Sequence, residues 1–268
     1  MTRKKGWQNV LIIVFSFLGF RWIVQILQRL TLIPRLSIEN YIIYQTILEI
    51  LILLWLIGVN HWWIHQKVSY LTQIENPVTS LLPIIFLLLI LMSFLSIRDK
   101  TLIPRTYPET LPLALFAGIT EEYLCRSLLF PQVLSAIKKP NTKLTCGEVY
   151  KAVFGSAFIF GCFHLFNLTA QDVMTTLMQV WLAFIAGVFL VSLYIASNSI
   201  FVPMIFHFLY DFIIMFGKGA IQHSVKLNLQ SLESLAIFTF FYLSYSLILI
   251  NKKRLVKQLN WLTRICNF

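Results

Sequence analysis

Residues 81–97 read LLPIIFLLLILMSFLSI, a run without a single charge. A helix needs roughly 20 mostly apolar residues, at about 1.5 Å each, to cross about 30 Å of hydrocarbon, and this run is a membrane-span candidate on that ground. Working outward, Val180–Ala196 and Leu235–Ile250 have the same character. Val10–Leu27 is weaker because Arg21 interrupts it, and Tyr41–Val59 carries Glu49. Three further windows, Leu111–Leu134, Ala152–Leu168 and Ile200–Phe216, are apolar apart from a few ionisable residues. The pattern predicts an all-α, polytopic transmembrane helix bundle of about eight spans, forming one integral membrane domain over residues 1–268.

Composition agrees. The chain is 58% hydrophobic and 12% charged, with mean hydropathy +0.76, whereas a soluble domain is about a quarter charged. The net charge of +11 is not a nucleic-acid footprint, because the basic residues sit at the chain ends and in short segments between apolar runs. Lipid headgroups are the partner such a distribution fits, and nucleic acid is excluded as one. An even span count puts both termini on one side. That side gathers Arg3, Lys4, Lys5, Lys67, Lys138, Lys139, Lys143, Lys151 and the basic residues from Lys252 to Arg264, which predicts cytoplasmic termini in a multi-pass protein of the cell membrane. The N-terminal run lacks a small-residue cleavage pattern after its apolar core, so it reads as an uncleaved first span. The four cysteines show no metal-finger spacing and read as packing residues.

The polar windows carry the chemistry. GITEEYLCRSLLF, residues 118–130, holds Glu121, Glu122 and Arg126; FIFGCFHLF, residues 158–166, holds His164; FHFLYDF, residues 206–212, holds His207 and Asp211. An ionisable side chain inside a bilayer costs about 2.5–3.5 kcal/mol on insertion scales, so six of them point to one shared buried site. Residues four apart share a helix face, so Glu122 is predicted to pair with Arg126 while Glu121 points about 100° away. Glu121, lacking that partner, is the candidate general base for a water molecule, and His164 the candidate to hold that water or share its proton. His207 and Asp211, again four apart, project together.

Two readings of that last pair stand side by side. In a metal-free site His207 donates to a developing oxyanion while Asp211 orients its ring from behind. In a metal site His164, His207 and Glu121 supply three ligands to a divalent ion such as zinc, with a fourth position open for water. Either way the reaction class is attack of an activated water on an amide carbonyl, since no serine or cysteine nucleophile motif and no HExxH accompanies these groups. His61 and His65 are also four apart, but they flank Trp62 and Trp63 at a span end and read as interfacial. Arg21 and Glu49 read as lone intramembrane charges that snorkel or pair with each other, outside the site.

The order EEYLCR, then FxxxH over Phe160–His164, then HxxxD over His207–Asp211, resembles the CPBP family of CAAX prenyl proteases and bacteriocin-processing Abi proteins. The resemblance covers a catalytic core over residues 111–216. It implies an intramembrane endopeptidase that cleaves near the C-terminus of a membrane-tethered, in some members prenylated, protein or peptide. Carried over residue by residue, it implies that Glu121 and His164 activate water, that His207 and residue 211 complete the site, and that Glu122 and Arg126 brace it. Asp211 stands where many relatives have Asn, which favours a metal-binding or histidine-orienting role over oxyanion donation. Two rival classes remain: a non-catalytic membrane immunity or scaffold protein of the same family, and a proton-coupled transporter. The second would carry inverted repeats, and the sequence shows none.

Overall fold

The protein is described by a computed structural model, and the residues described are 3–30, 37–70, 77–97, 107–218 and 228–266. The described residues are mostly helical, with no strand among them. In chain order the helices are α1 (Arg3–Leu30), α2 (Ile38–Val59), α3 (Pro77–Ile97), α4 (Tyr107–Glu122), α5 (Phe130–Ile137), α6 (Cys146–Phe163), α7 (Val173–Ser197), α8 (Phe201–Lys218), α9 (Leu229–Leu249) and α10 (Lys252–Ile265). Each of the eight sequence windows falls on this framework. Among the described residues, five helical stretches are long and apolar enough to cross a membrane unaided: Arg3–Leu27, Glu39–Ile64, Cys146–Thr169, Val173–Ser197 and Leu229–Leu249. Two more, Pro77–Ser93 and Phe201–Met215, are apolar but shorter. The eighth window runs through α4, a π-helical segment Tyr123–Leu129 and α5, and three ionisable side chains lower its apolar character. Eight is therefore an approximate count.

Local chemistry sets the helix ends. Orphan N–H groups at a helix start are satisfied by short oxygen-bearing side chains, and the chain supplies them repeatedly. The Thr145 hydroxyl accepts from Glu148 N–H at 3.3 Å while the Glu148 carboxylate accepts from Thr145 N–H at 2.9 Å, a capping box that starts α6. Asp172 accepts from the Thr175 hydroxyl at 2.6 Å and its N–H at 2.9 Å at the start of α7, and these bonds hold its carboxyl below the usual range. Asn198 closes α7 in the left-handed region, φ 57°, where asparagine is tolerated.

α7 is the most enclosed of the five long spans, with α6, α8, α9 and α10 against it, while α4 packs between α2 and α8. The outward faces of α1 and α9 expose Phe15, Trp22, Phe240, Phe241 and Leu247. Apolar surface of this extent is what lipid covers. One end of the bundle is knitted by polar bonds. There Arg3 Nε donates to Ala136 O at 2.9 Å, Asn9 Nδ2 to Gln132 Oε1 at 2.9 Å, Gln132 Nε2 to Gln66 Oε1 at 2.8 Å and Gln66 Nε2 to Ile265 O at 2.6 Å. The first turns of α1 and the last turn of α10 thus lie at the same end. By sequence, residues 252–264 read as a basic flank. They form an amphipathic helix whose Leu255, Trp261 and Leu262 face inward, Trp261 meeting Tyr194 edge-on at 5.2 Å.

Candidate active site

The site begins with a close approach of two helices. A Cβ on Gly118 would lie 3.0 Å from Phe208 N, so the absence of a side chain lets α4 run against the backbone of α8. That contact sets the following turn of α4, with Glu121 and Glu122, opposite His207. Directly beyond, the chain widens into the π-helical segment 123–129, a distortion often found at functional sites.

Glu122 is the hub. Its Oε2 lies 2.9 Å from Arg126 Nε, with both side chains fully enclosed. Its Oε1 accepts from His207 Nδ1–H at 2.8 Å, because an ionised carboxylate can only accept. Arg126 is further held by Gly187 O at 3.5 Å and by the ring of Phe160, 5.0 Å from its Cζ. The predicted i, i+4 pair is present.

The orientation of His207 differs from expectation. Asp211 does not support the ring from behind; Glu122 takes that position at Nδ1. Asp211 Oδ2 stands instead 3.5 Å from Nε2, on the same side as Glu121 Oε2 at 3.7 Å. One helical turn does bring Asp211 into reach of His207, but the neighbouring helix places a carboxylate closer to the other nitrogen.

His164 sits where α6 gives way to a 3₁₀ turn, His164–Thr169, and its Nδ1 lies 3.2 Å from Phe160 O. The Phe160 ring stands edge-on to both imidazoles, with centroids 5.2 Å from His164 and 6.5 Å from His207. His164 and Glu121 line one polar cavity of about 140 Å³. One water needs about 10–15 Å³ of such space, so the cavity holds a small group of waters. Glu121 therefore links the His164 side of the site to the His207 and Asp211 side, and Glu121, Glu122, Arg126, His164, His207 and Asp211 occupy one region. His61 and His65 lie at the far end of α2, in and just after a π-helical turn, with His61 edge-on to Trp62 at 6.2 Å.

Two residues that read from sequence as lying outside the site belong to it in the structure. Arg21 on α1 and Glu49 on α2 pair at 3.7 Å, Nη1 to Oε1, and both line the cavity with Glu121 and His164. Asn167 and Gln179 line it as well, Asn167 Nδ2 donating to Gln179 Oε1 at 2.8 Å. The available signal was the rarity of charge inside spans, since an intramembrane ionisable residue is a functional candidate by default.

Among the described residues, no three His, Cys, Asp or Glu side chains converge as a metal-ligand set. His207 Nδ1 is engaged by Glu122, and the Phe160 ring packs edge-on against both His164 and His207. His164, His207 and Glu121 do not converge as a zinc-ligand set in this arrangement.

Residues 104–213 match the model of a protein family described as Type II CAAX prenyl endopeptidase Rce1-like. The match takes in all six residues of the constellation and leaves Arg21 and Glu49 outside it. No curated protein and no solved structure matches the chain.

Proposed function

From the CPBP membership that the Rce1-like match supports, we propose that this chain is an intramembrane endopeptidase. It hydrolyses a peptide bond near the C-terminus of a membrane-associated protein or peptide. The observation that carries the reading is the placement of Glu121, which shares a polar cavity with His164 and lies 3.7 Å from His207 Nε2. Water held between Glu121 and His164 attacks the scissile carbonyl carbon as Glu121 takes its proton. The carbonyl oxygen gains the electron pair and is met by His207 in its doubly protonated form, which donates at both nitrogens. Nδ1–H goes to Glu122 and Nε2–H toward the developing oxyanion. Collapse of the tetrahedral intermediate breaks the C–N bond, and Glu121 returns its proton to the departing amine. Arg126 holds Glu122 and so fixes the His207 ring. Asp211, beside Nε2, balances the imidazolium.

Residues 111–216 form the catalytic core of a single integral membrane domain. The end of the bundle that carries Arg3, the 138–145 segment and α10 faces the cytoplasm, where basic residues accumulate.

The test is cleavage of a membrane-tethered fluorogenic peptide by the protein in liposomes. Glu121→Gln is expected to lower the rate about 10²–10⁴-fold, the range of a positioned general base, while the variant inserts and purifies as the wild type does. Wild-type cleavage in that variant overturns the assignment, and an unchanged cellular phenotype in it favours a scaffold.

A further inference from the structure

Three helices measure how deep the polar cavity lies. Arg3, the first residue of α1, is bonded to Ala136 O near the end of α5, and Lys139 N–H just beyond α5 donates to Glu148 in the first turn of α6 at 2.8 Å. Ser69, three residues after Gln66, donates its hydroxyl to Asn198 O at 2.8 Å, so the last turn of α7 lies at the same knitted end of the bundle. From that end the cavity-lining residues stand at equal remove. Arg21 is 18 residues beyond Arg3, His164 is 18 beyond Cys146, and Gln179 is 18 before Ser197. At roughly 1.5 Å per residue each helix places the cavity wall about 27 Å in, nearly the whole of a hydrocarbon core of about 30 Å.

The opposite boundary is close by. Leu168, Thr169 and Asp172, in the turn that joins α6 to α7, are exposed, and Asp172 is only seven residues from Gln179. Asn167, in the same turn, lines the cavity itself, and Gln25 Nε2 on α1 donates to the Thr169 hydroxyl at 3.1 Å. Asp172, an exposed carboxylate, belongs in water and marks where the bilayer ends. Toward the knitted end the bundle is filled. Leu128, Leu129 and Phe130, between Glu121 and Gln132 along the chain, and Val153 and Ala157, on α6 short of His164, are all fully buried. Beyond them come the bonds joining Asn9, Gln132 and Gln66. Interiors of this kind are close-packed with few water-sized voids, so water and peptide reach Glu121 from the Asp172 side.

We propose that the site works on the extracytoplasmic face: its substrate is the outward-exposed tail of an exported, membrane-tethered peptide, and not a tail displayed in the cytoplasm. The proposal rests on the endopeptidase reading and on the cytoplasmic placement of the basic end, and it adds the compartment of the substrate. With Arg3, Lys139 and α10 on the cytoplasmic side, a cytoplasmic tail would have to thread about 27 Å of packed helices to meet Glu121 and His164. A peptide held in the outer leaflet meets the cavity within the roughly 10 Å that separates Asp172 from Gln179 along α7. The reaction that supplies this substrate is therefore export across the membrane, and cleavage follows it.

Sealed vesicles of both orientations, from cells making the full chain, test this. Each receives a fluorogenic peptide carrying one acyl anchor, and rates are taken above those of Glu121→Gln vesicles. A peptide backbone does not cross hydrocarbon readily, so right-side-out vesicles are expected to cleave at least about tenfold faster than inside-out ones, and detergent should remove the difference. Faster cleavage by inside-out vesicles, or equal rates before detergent, overturns the proposal. No cleavage above background even after detergent overturns the endopeptidase reading itself, so the two failures are distinct. Leu168→Cys and Lys253→Cys, both at exposed positions, supply a readout independent of catalysis. A membrane-impermeant maleimide added to right-side-out vesicles should label the first well above the wild type and leave the second at the wild-type level. The reverse pattern overturns the orientation and the proposal with it.

Discussion

Glu122→Gln isolates the hub of the site, since it keeps side-chain volume while removing one negative charge. In the folded protein that carboxylate faces Arg126 Nε at 2.9 Å and His207 Nδ1 at 2.8 Å, with Glu122 and Arg126 sealed from solvent. Without it Arg126 retains Gly187 O at 3.5 Å and the Phe160 ring at 5.0 Å. Breaking a buried pair from one side costs about 3–5 kcal/mol, because the remaining charge is uncompensated. The ring contact is already made in the wild type, so it adds nothing new, and the carbonyl contact is long. The expected loss is therefore at least about 3 kcal/mol, a large share of the roughly 5–15 kcal/mol by which a domain is stable.

Reversible unfolding in mixed micelles, titrated with a denaturing detergent, measures it. The companion variant Glu122→Gln/Arg126→Met removes both charges and should return to within about 1 kcal/mol of the wild type, since apolar replacement of a buried pair is often neutral. Cleavage should stay low in both variants, because His207 has lost the carboxylate that fixes its ring. A single variant within about 1 kcal/mol of the wild type, or a double variant no more stable than the single, refutes the reasoning.

Two other perturbations probe different parts of the site. His164→Ala and His207→Ala should each lower peptide cleavage by about 10²-fold or more, whereas His61→Ala, at the far end of α2, should leave the rate within about twofold; equal tolerance at all three positions contradicts the site. Gly118→Ala puts a Cβ about 3.0 Å from Phe208 N, so α4 and α8 must separate; overpacking of this kind costs about 1–3 kcal/mol, and cleavage should fall with it in the same liposome assay.

The parts of this molecule legible from sequence are those that one helix decides for itself. The apolar windows landed on helices because length and polarity within a single segment determine whether it can span a bilayer. The i, i+4 rule pairs Glu122 with Arg126 and turns Glu121 away from them. Both features are present, with Glu121 on the cavity. His207 and Asp211 lie four apart on α8 and 3.5 Å from each other, yet which nitrogen each carboxylate faces is decided by the approach of α4 to α8. No periodicity within α8 encodes that approach. The amphipathic repeat of Leu255, Gln258, Trp261, Leu262 and Ile265 is equally legible, although the basic residues between them also fit a membrane-surface flank.

Arg21 and Glu49 show where single-segment reasoning stops. Each is a lone charge in its own span, and their pairing is made between α1 and α2, so no spacing rule joins them to each other or to Glu121. What does join them is a cost argument applied to the whole bundle. Every charge in a span must be offset, and the offset available here lies in a cavity that already contains Glu121 and His164. The same argument assigns different work to the two arginines. Arg126, enclosed on every side and held at 2.9 Å, has little freedom to respond to a substrate and serves to fix Glu122. Arg21, paired with Glu49 at 3.7 Å across α1 and α2, instead places its charge on the wall of the cavity beside Glu121.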